Sequence, residues 1–184
     1  MANVVRSSAA LLGLLTLACG TTPDGAGTES STGPSLAVAA GVEESVSGGG
    51  QFFHPVFGTV TLAFTAVRHA DGSVTGRFQQ QQFDVGFSYK GTVTCFAIDP
   101  VNRRAWIGGV LTQTTDPDPI TEVGDDAWFR VLDVANGAGP DRSTFLGFEG
   151  GGGIITSGEY CAARIWPDDN ARTWPLENGE LAIR

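Results

Sequence analysis

From Gln51 onward, apolar and polar residues alternate with a period of two, and this pattern constrains the fold more than any other feature of the chain. Val60, Leu62, Phe64 and Ala66 alternate with Thr59, Thr61, Ala63 and Thr65. Residues two apart share one face of a β-strand, so the spacing predicts a half-buried strand. Ala70-Asp71-Gly72-Ser73 follows, with the Asp-Gly pair favoured in tight hairpins. The chain resumes with Val74, Gly76 and Phe78 against Thr75, Arg77 and Gln79. A third segment places Val85, Phe87, Tyr89, Val93, Cys95 and Ala97 on one face, opposite Ser88, Lys90, Thr92 and Thr94. After a turn over Asp99–Arg103, the residues Ala105, Ile107, Gly109 and Leu111 oppose Trp106, Gly108, Val110 and Thr112. Further strands are expected at Trp128–Val134, Ser143–Glu149, Ile154-Ile155, Tyr160–Trp166 and Leu181–Ile183.

Past the N-terminal apolar run, no segment sustains a 3.6-residue hydrophobic repeat. Short turns and many strand glycines predict an all-β domain, a small closed antiparallel β-barrel of about eight strands. A two-sheet β-sandwich is the alternative. Closure would remove exposed edges, and glycines at positions 76, 91, 108, 109 and 147 would ease tight coiling.

The N-terminus carries one charge, Arg6, then Leu11-Leu12-Gly13-Leu14-Leu15-Thr16-Leu17-Ala18-Cys19. A basic start, an apolar run of about ten residues and a small residue before the cut describe a secretory signal. With Cys following the cut, the segment resembles the lipobox of bacterial lipoproteins, although Thr16 stands where that pattern usually has Leu. The resemblance implies that Cys19 receives a diacylglycerol and becomes the acylated N-terminus. It implies export and anchoring in the cell envelope, at the outer membrane if the host has two membranes. The expected organisation is a signal peptide over residues 1–18, lipidated Cys19 and a flexible tether over 19–50, and the barrel over 51–184. Gly20–Pro34 has almost nothing to bury, and Gly48-Gly49-Gly50 is read as the end of the tether.

Between Ala63 and Leu111, Phe64–Gly76, Gly91-Thr92-Val93-Thr94-Cys95 and Ile107-Gly108-Gly109-Val110 make the chain similar to a type of exported bacterial β-domain. That resemblance implies a common fold and brings no catalytic residues with it. The hairpin style also resembles lipocalin and avidin barrels, at the level of architecture alone.

The formal charge is −9, and it becomes one unit more negative once Arg6 leaves with the signal. An acidic surface disfavours nucleic acid and anionic lipid head groups, which bind basic faces. With Cys19 lipidated, two of the three cysteines remain, Cys95 and Cys161. In an oxidising compartment a disulfide is their default state, and the alternative is a pair of buried free thiols. A bridge over so long a loop would contribute about 4 kcal/mol.

Chemistry-bearing residues are sparse. The two histidines are His54, in an aromatic segment, and His69, beside the Asp-Gly turn. A general base needs a partner within hydrogen-bonding reach, and spacing places no nucleophile beside either ring. No nucleophile elbow, zinc-protease motif or cofactor-binding motif occurs. Asp133, Asn136 and Asp141 form a weak calcium candidate on a Gly-containing loop. Phe64, Phe78, Phe87, Tyr89, Trp106 and Trp128 would line an apolar ligand pocket if they projected into a barrel mouth, although small barrels commonly fill with such side chains. The leading expectation is a non-enzymatic, lipid-anchored accessory or binding domain of the envelope. Its partner would be an envelope protein or a small apolar ligand. A calycin-like carrier of such a ligand, or an enzyme with an acid–base site at the barrel mouth, are the alternatives.

Overall fold

A computed structural model describes residues 41–134, 138–148, 153–154 and 156–184. Cys19, the signal and most of the tether lie outside the described residues, as does Asn136. The described chain is mostly antiparallel β. Its strands are β1 (Val42–His54), β2 (Gly58–His69), β3 (Val74–Gln82), β4 (Phe87–Asp99), β5 (Arg104–Thr114), β6 (Asp126–Leu132), β7 (Arg142–Ser143), β8 (Gly147–Phe148), β9 (Trp174–Pro175) and β10 (Asn178–Ile183), with one helix, α1 (Ser157–Ala163). β1 to β6 form a meander in which each strand pairs with the next. β7 and β8 both pair with β6, and β9 pairs with β7.

The sheet curls strongly, and the C-terminal segment serves both of its ends. Trp174–Pro175 pairs with β7, while Asn178–Ile183 pairs with β1 from Gln51 to Val46. Between these ladders, Glu177 N–H donates to the Gln51 carbonyl at 2.7 Å and Leu176 N–H to the Asp141 carbonyl at 2.7 Å. The expected barrel is therefore met as a strongly curled antiparallel sheet.

Alternation decides what faces inward. Val46, Phe52, Val60, Leu62, Phe64, Ala66, Phe78, Tyr89, Phe96, Ile107 and Phe129 form the main core on the concave side. Phe129 meets Phe64 edge-on, with ring centroids 5.1 Å apart. The side chain of Phe78 lies over Gly91, its cross-strand partner, where a Cβ would meet the ring.

Three sequence expectations change. β1 begins at Val42, so Gly48-Gly49-Gly50 lies inside a strand and not in the tether expected over 19–50. Those glycines are wedged between β10 and β2: a Cβ on Gly50 would sit 2.2 Å from the Asn178 carbonyl, and one on Gly49 2.5 Å from that of Leu62. The segment read as a strand over Tyr160–Trp166 instead begins inside α1 and continues as irregular chain. Finally, the pairing of β4 with β5 shifts between Val93 and Cys95. This bulge at Thr94 reverses the faces beyond it, so Phe96 points into the core while Cys95 and Ala97 turn outward.

On the outer face, Cys95 meets Cys161 of α1 in a disulfide, with the two residues 66 apart in sequence and their Cα atoms 6.2 Å apart. The helix is short, so its ends matter. Thr156 caps it: the Thr156 hydroxyl accepts from Glu159 N–H at 3.1 Å, and the Glu159 carboxylate accepts from Thr156 N–H at 3.2 Å. Asp126 accepts from Ser157 N–H at 2.8 Å and ties the first turn to β6.

Candidate functional site

The six aromatics proposed for one pocket are divided between two sides of the sheet. Phe64, Phe78 and Tyr89, with half-buried Phe87, belong to the concave core. Trp106 and Trp128 are on the convex face with Ala97 and Tyr160, and Trp166 packs against them. A barrel-mouth pocket built from all six is thus corrected. Strand parity put Trp106 and Trp128 opposite Ile107 and Phe129, and α1 with the chain after it covers them. Trp106 Nε1–H donates to the Ile165 carbonyl at 2.9 Å, and Trp166 Nε1–H to Asn170 Oδ1 at 2.9 Å.

The histidines do not form an acid–base pair. His54 and His69 flank β2 at opposite ends, on the order of 30 Å apart at the rise of a strand. His54 Nδ1 accepts from the backbone N–H groups of Val56 and Phe57 at 3.2 and 3.3 Å. Its ring packs among Phe57, Phe145 and Trp174, and burial lowers its pKa. It organises a turn. His69 Nε2 contacts the Thr75 hydroxyl at 2.9 Å in the exposed hairpin.

Asp133 and Asp141 share one loop, but three of their four carboxylate oxygens are already engaged. Asp133 Oδ2 pairs with Arg103 Nη2 at 2.5 Å. Asp141 accepts from Val134 N–H through one oxygen and from Leu181 N–H through the other, both at 2.7 Å. Among the described residues, no cluster of three or more metal-ligating side chains occurs.

Two hollows stand out. The larger, about 640 Å³, is an open trough lined by Thr65, Arg77, Gln79, Lys90, Thr92 and Thr112. Its charged groups, Arg77 and Lys90, are exposed to solvent, and Phe64 and Phe78 of the core also border it. The smaller, about 230 Å³, has the more specific chemistry. It is lined by Trp128, Arg130, Tyr160, Arg172 and Trp174, with Thr144–Gly147 along one side.

Arg130 is the unusual residue there. It sits opposite Trp106 in the β5–β6 register and is only 8% exposed. One Nη2–H donates to the Ala171 carbonyl at 2.8 Å, and the guanidinium lies 5.3 Å from the Trp166 ring centre. Nε is buried without a hydrogen-bond partner, and no carboxylate among the described residues comes within ion-pair distance. Taking a charged group out of water costs several kcal/mol, whereas a desolvated cation–π contact returns about 2 kcal/mol. Among the described residues, the guanidinium is thus met by the Ala171 carbonyl, the Tyr160 hydroxyl and an aromatic face, and by no carboxylate.

More positive groups surround it. Arg104 stacks on the same indole at 4.7 Å, and its Nε is also buried without a partner. The wall after α1 is conformationally unusual: Arg164, Asp169, Asn170 and Arg172 all have positive φ, with Arg172 at 60°. Such backbone costs about 1–3 kcal/mol per residue and persists only where the surroundings impose it. Tyr160 stacks on Trp128 at 5.7 Å, and burial pushes its hydroxyl up to about 12, against the pull of the neighbouring Arg130 charge. Sequence reasoning missed Arg130 because its signal lies in register: only pairing shows that it faces Trp106 and that α1 roofs it. The chain matches no protein-family profile, no curated protein and no solved structure.

Proposed function

We propose that the protein is an exported, lipid-anchored binding domain of the cell envelope, held by Cys19 and working through its convex face without catalysis. The observation that carries this reading is the division of the aromatics. Phe52, Phe64, Phe78, Tyr89, Phe96 and Phe129 fill the concave side with one another, while Trp128 and Tyr160 border a hollow on the outside, which Trp174, itself packed against the core, also lines. A carrier of the calycin type uses its interior, and here the interior is occupied by side chains. In this reading the C-terminal segment closes the sheet into a filled barrel through its contacts with β7 and β1. The Cys95–Cys161 bridge supports export, since such bonds persist in oxidising compartments. No helix among the described residues is long and apolar enough to cross a membrane.

The test is labelling of the full chain with a radioactive fatty acid in a bacterial host, followed by fractionation. The native chain is expected to take up label and sediment with membranes. Cys19→Ser should abolish labelling and remove the lipid-dependent attachment. Undiminished acylation of Cys19→Ser, or an unlabelled native chain, would refute the anchor.

A further inference from the structure

We propose that the hollow between Trp128, Tyr160 and Trp174 is a binding site for a small carboxylate carried on a ring, with Arg130 and Arg172 holding the carboxylate. This inference rests on the reading of the protein as a binding domain and names the ligand class of its convex face.

Charge gives the first argument. Arg130 is more than nine-tenths buried, borders the hollow, and has an Nε–H without a partner and no carboxylate among the described residues to balance it. Arg172 brings a second guanidinium to the same hollow from a backbone in the left-handed region. An anion entering there offsets an existing cost and gains charge-assisted hydrogen bonds. Because a guanidinium is planar and permanently charged, it suits a planar carboxylate better than a spherical ion.

Shape and surface give the second. The walls are two indoles and a phenol, so the group that follows the carboxylate must be flat or apolar. A volume of about 230 Å³ equals roughly eight waters at ~30 Å³ each, room for one ring and its carboxylate. An acidic sugar and the carboxyl terminus of an aromatic peptide share this chemistry.

The test uses the full chain purified in detergent, with tryptophan fluorescence and the Arg Nε–H resonances as readouts. Benzoate is the probe, benzyl alcohol its neutral counterpart and sodium chloride the ionic control. Benzoate should saturate, bind at least about tenfold tighter than benzyl alcohol, the effect of one charge-assisted hydrogen bond, and shift the Arg130 Nε–H signal. Arg130→Met should abolish that preference. Arg172→Gln, on an exposed residue whose replacement leaves the core untouched, should weaken benzoate several-fold and keep the native melting temperature. Glucuronate and N-acetylphenylalanine then distinguish the two sources, the tighter one naming the natural class. Equal binding of benzoate and benzyl alcohol, competition by chloride at equal concentration, or a benzoate response unchanged in both variants would overturn the site. Acylation and sedimentation are scored separately, so an anchored chain that binds no carboxylate refutes only the site, and a carboxylate-binding chain without acyl label refutes only the anchor.

Discussion

Tyr89 is the middle member of a polar chain at the edge of a largely apolar interior. Gln82 Nε2–H donates to its hydroxyl at 3.1 Å, and the hydroxyl donates to Asp116 Oδ2 at 2.6 Å. Burial, then the facing Asp116 carboxylate, raises the phenol well above the ordinary tyrosine range. Tyr89→Phe removes one group and strands another: the Gln82 amide, whose Oε1 is already without a partner, loses its remaining contact. An unsatisfied buried polar group costs about 1–3 kcal/mol, so Tyr89→Phe should lower the urea midpoint by a corresponding amount. A change within about 0.3 kcal/mol would show that Asp116 and solvent re-satisfy the amide. In the run Gln79–Gln82 both faces of β3 are polar: Gln80 and Gln82 turn inward, while Gln79 and Gln81 face solvent. The alternation was visible in the sequence. Which pair would enter the core was not, because identical residues carry no sign of direction.

At the scale of elements, α1 rests on the sheet where Gly108 leaves room for it. A Cβ at Gly108 would stand 2.8 Å from Ser157 Cβ, 2.9 Å from Cys95 Sγ and 3.0 Å from the Ser157 carbonyl. None of these atoms can retreat easily, since Cys95 is bridged to Cys161 and Ser157 is held by Asp126. Gly108→Ala should therefore destabilise the fold by about 1–3 kcal/mol, as overpacking does, and loosen the roof over Trp106 and Trp128. Calorimetry checks the first effect and acrylamide quenching of tryptophan the second; native values for both would mean that the helix docks elsewhere. The strands over positions 58–82 and the turns at Asp71-Gly72 and Asp99–Arg103 were legible because one local pattern, period two with a turn residue, decides them. The helix was not, although Thr156-Ser157-Gly158-Glu159 spells its capping box; the aromatic residues beyond it suggested a strand instead. The bulge at Thr94 was equally hidden, since an extra residue in a ladder has no composition of its own. With it went the true position of Cys95, and with that the existence of a convex-face site.

For the whole molecule, the alkaline limit is set by burial, because both tyrosines of the chain, Tyr89 and Tyr160, have raised pKa values. A raised value means that the folded state holds the proton more tightly than the unfolded chain, in which tyrosine titrates near 10. The resulting stability is complete below pH ~10 and declines as pH rises from there, through about 12 for Tyr160. That shift alone corresponds to about 3 kcal/mol. Tyrosinate absorbance and circular dichroism followed together should rise and fall in one concerted step above pH ~10, and half-formed tyrosinate near 10 with intact dichroism would contradict it. The pairing of β1 with the C-terminal strand has a consequence for folding. β1 finds one of its two neighbours only in β10, nearly the whole described chain later, so the ladder from Val46–Ile183 to Gln51–Asn178 cannot form until the final strand has been made. Contacts so distant in sequence form slowly. The consecutive hairpins from β1 to β6 can thus pair as they are made, whereas the free edge of β1 stays open until the last ten or so residues of the chain arrive to cover it.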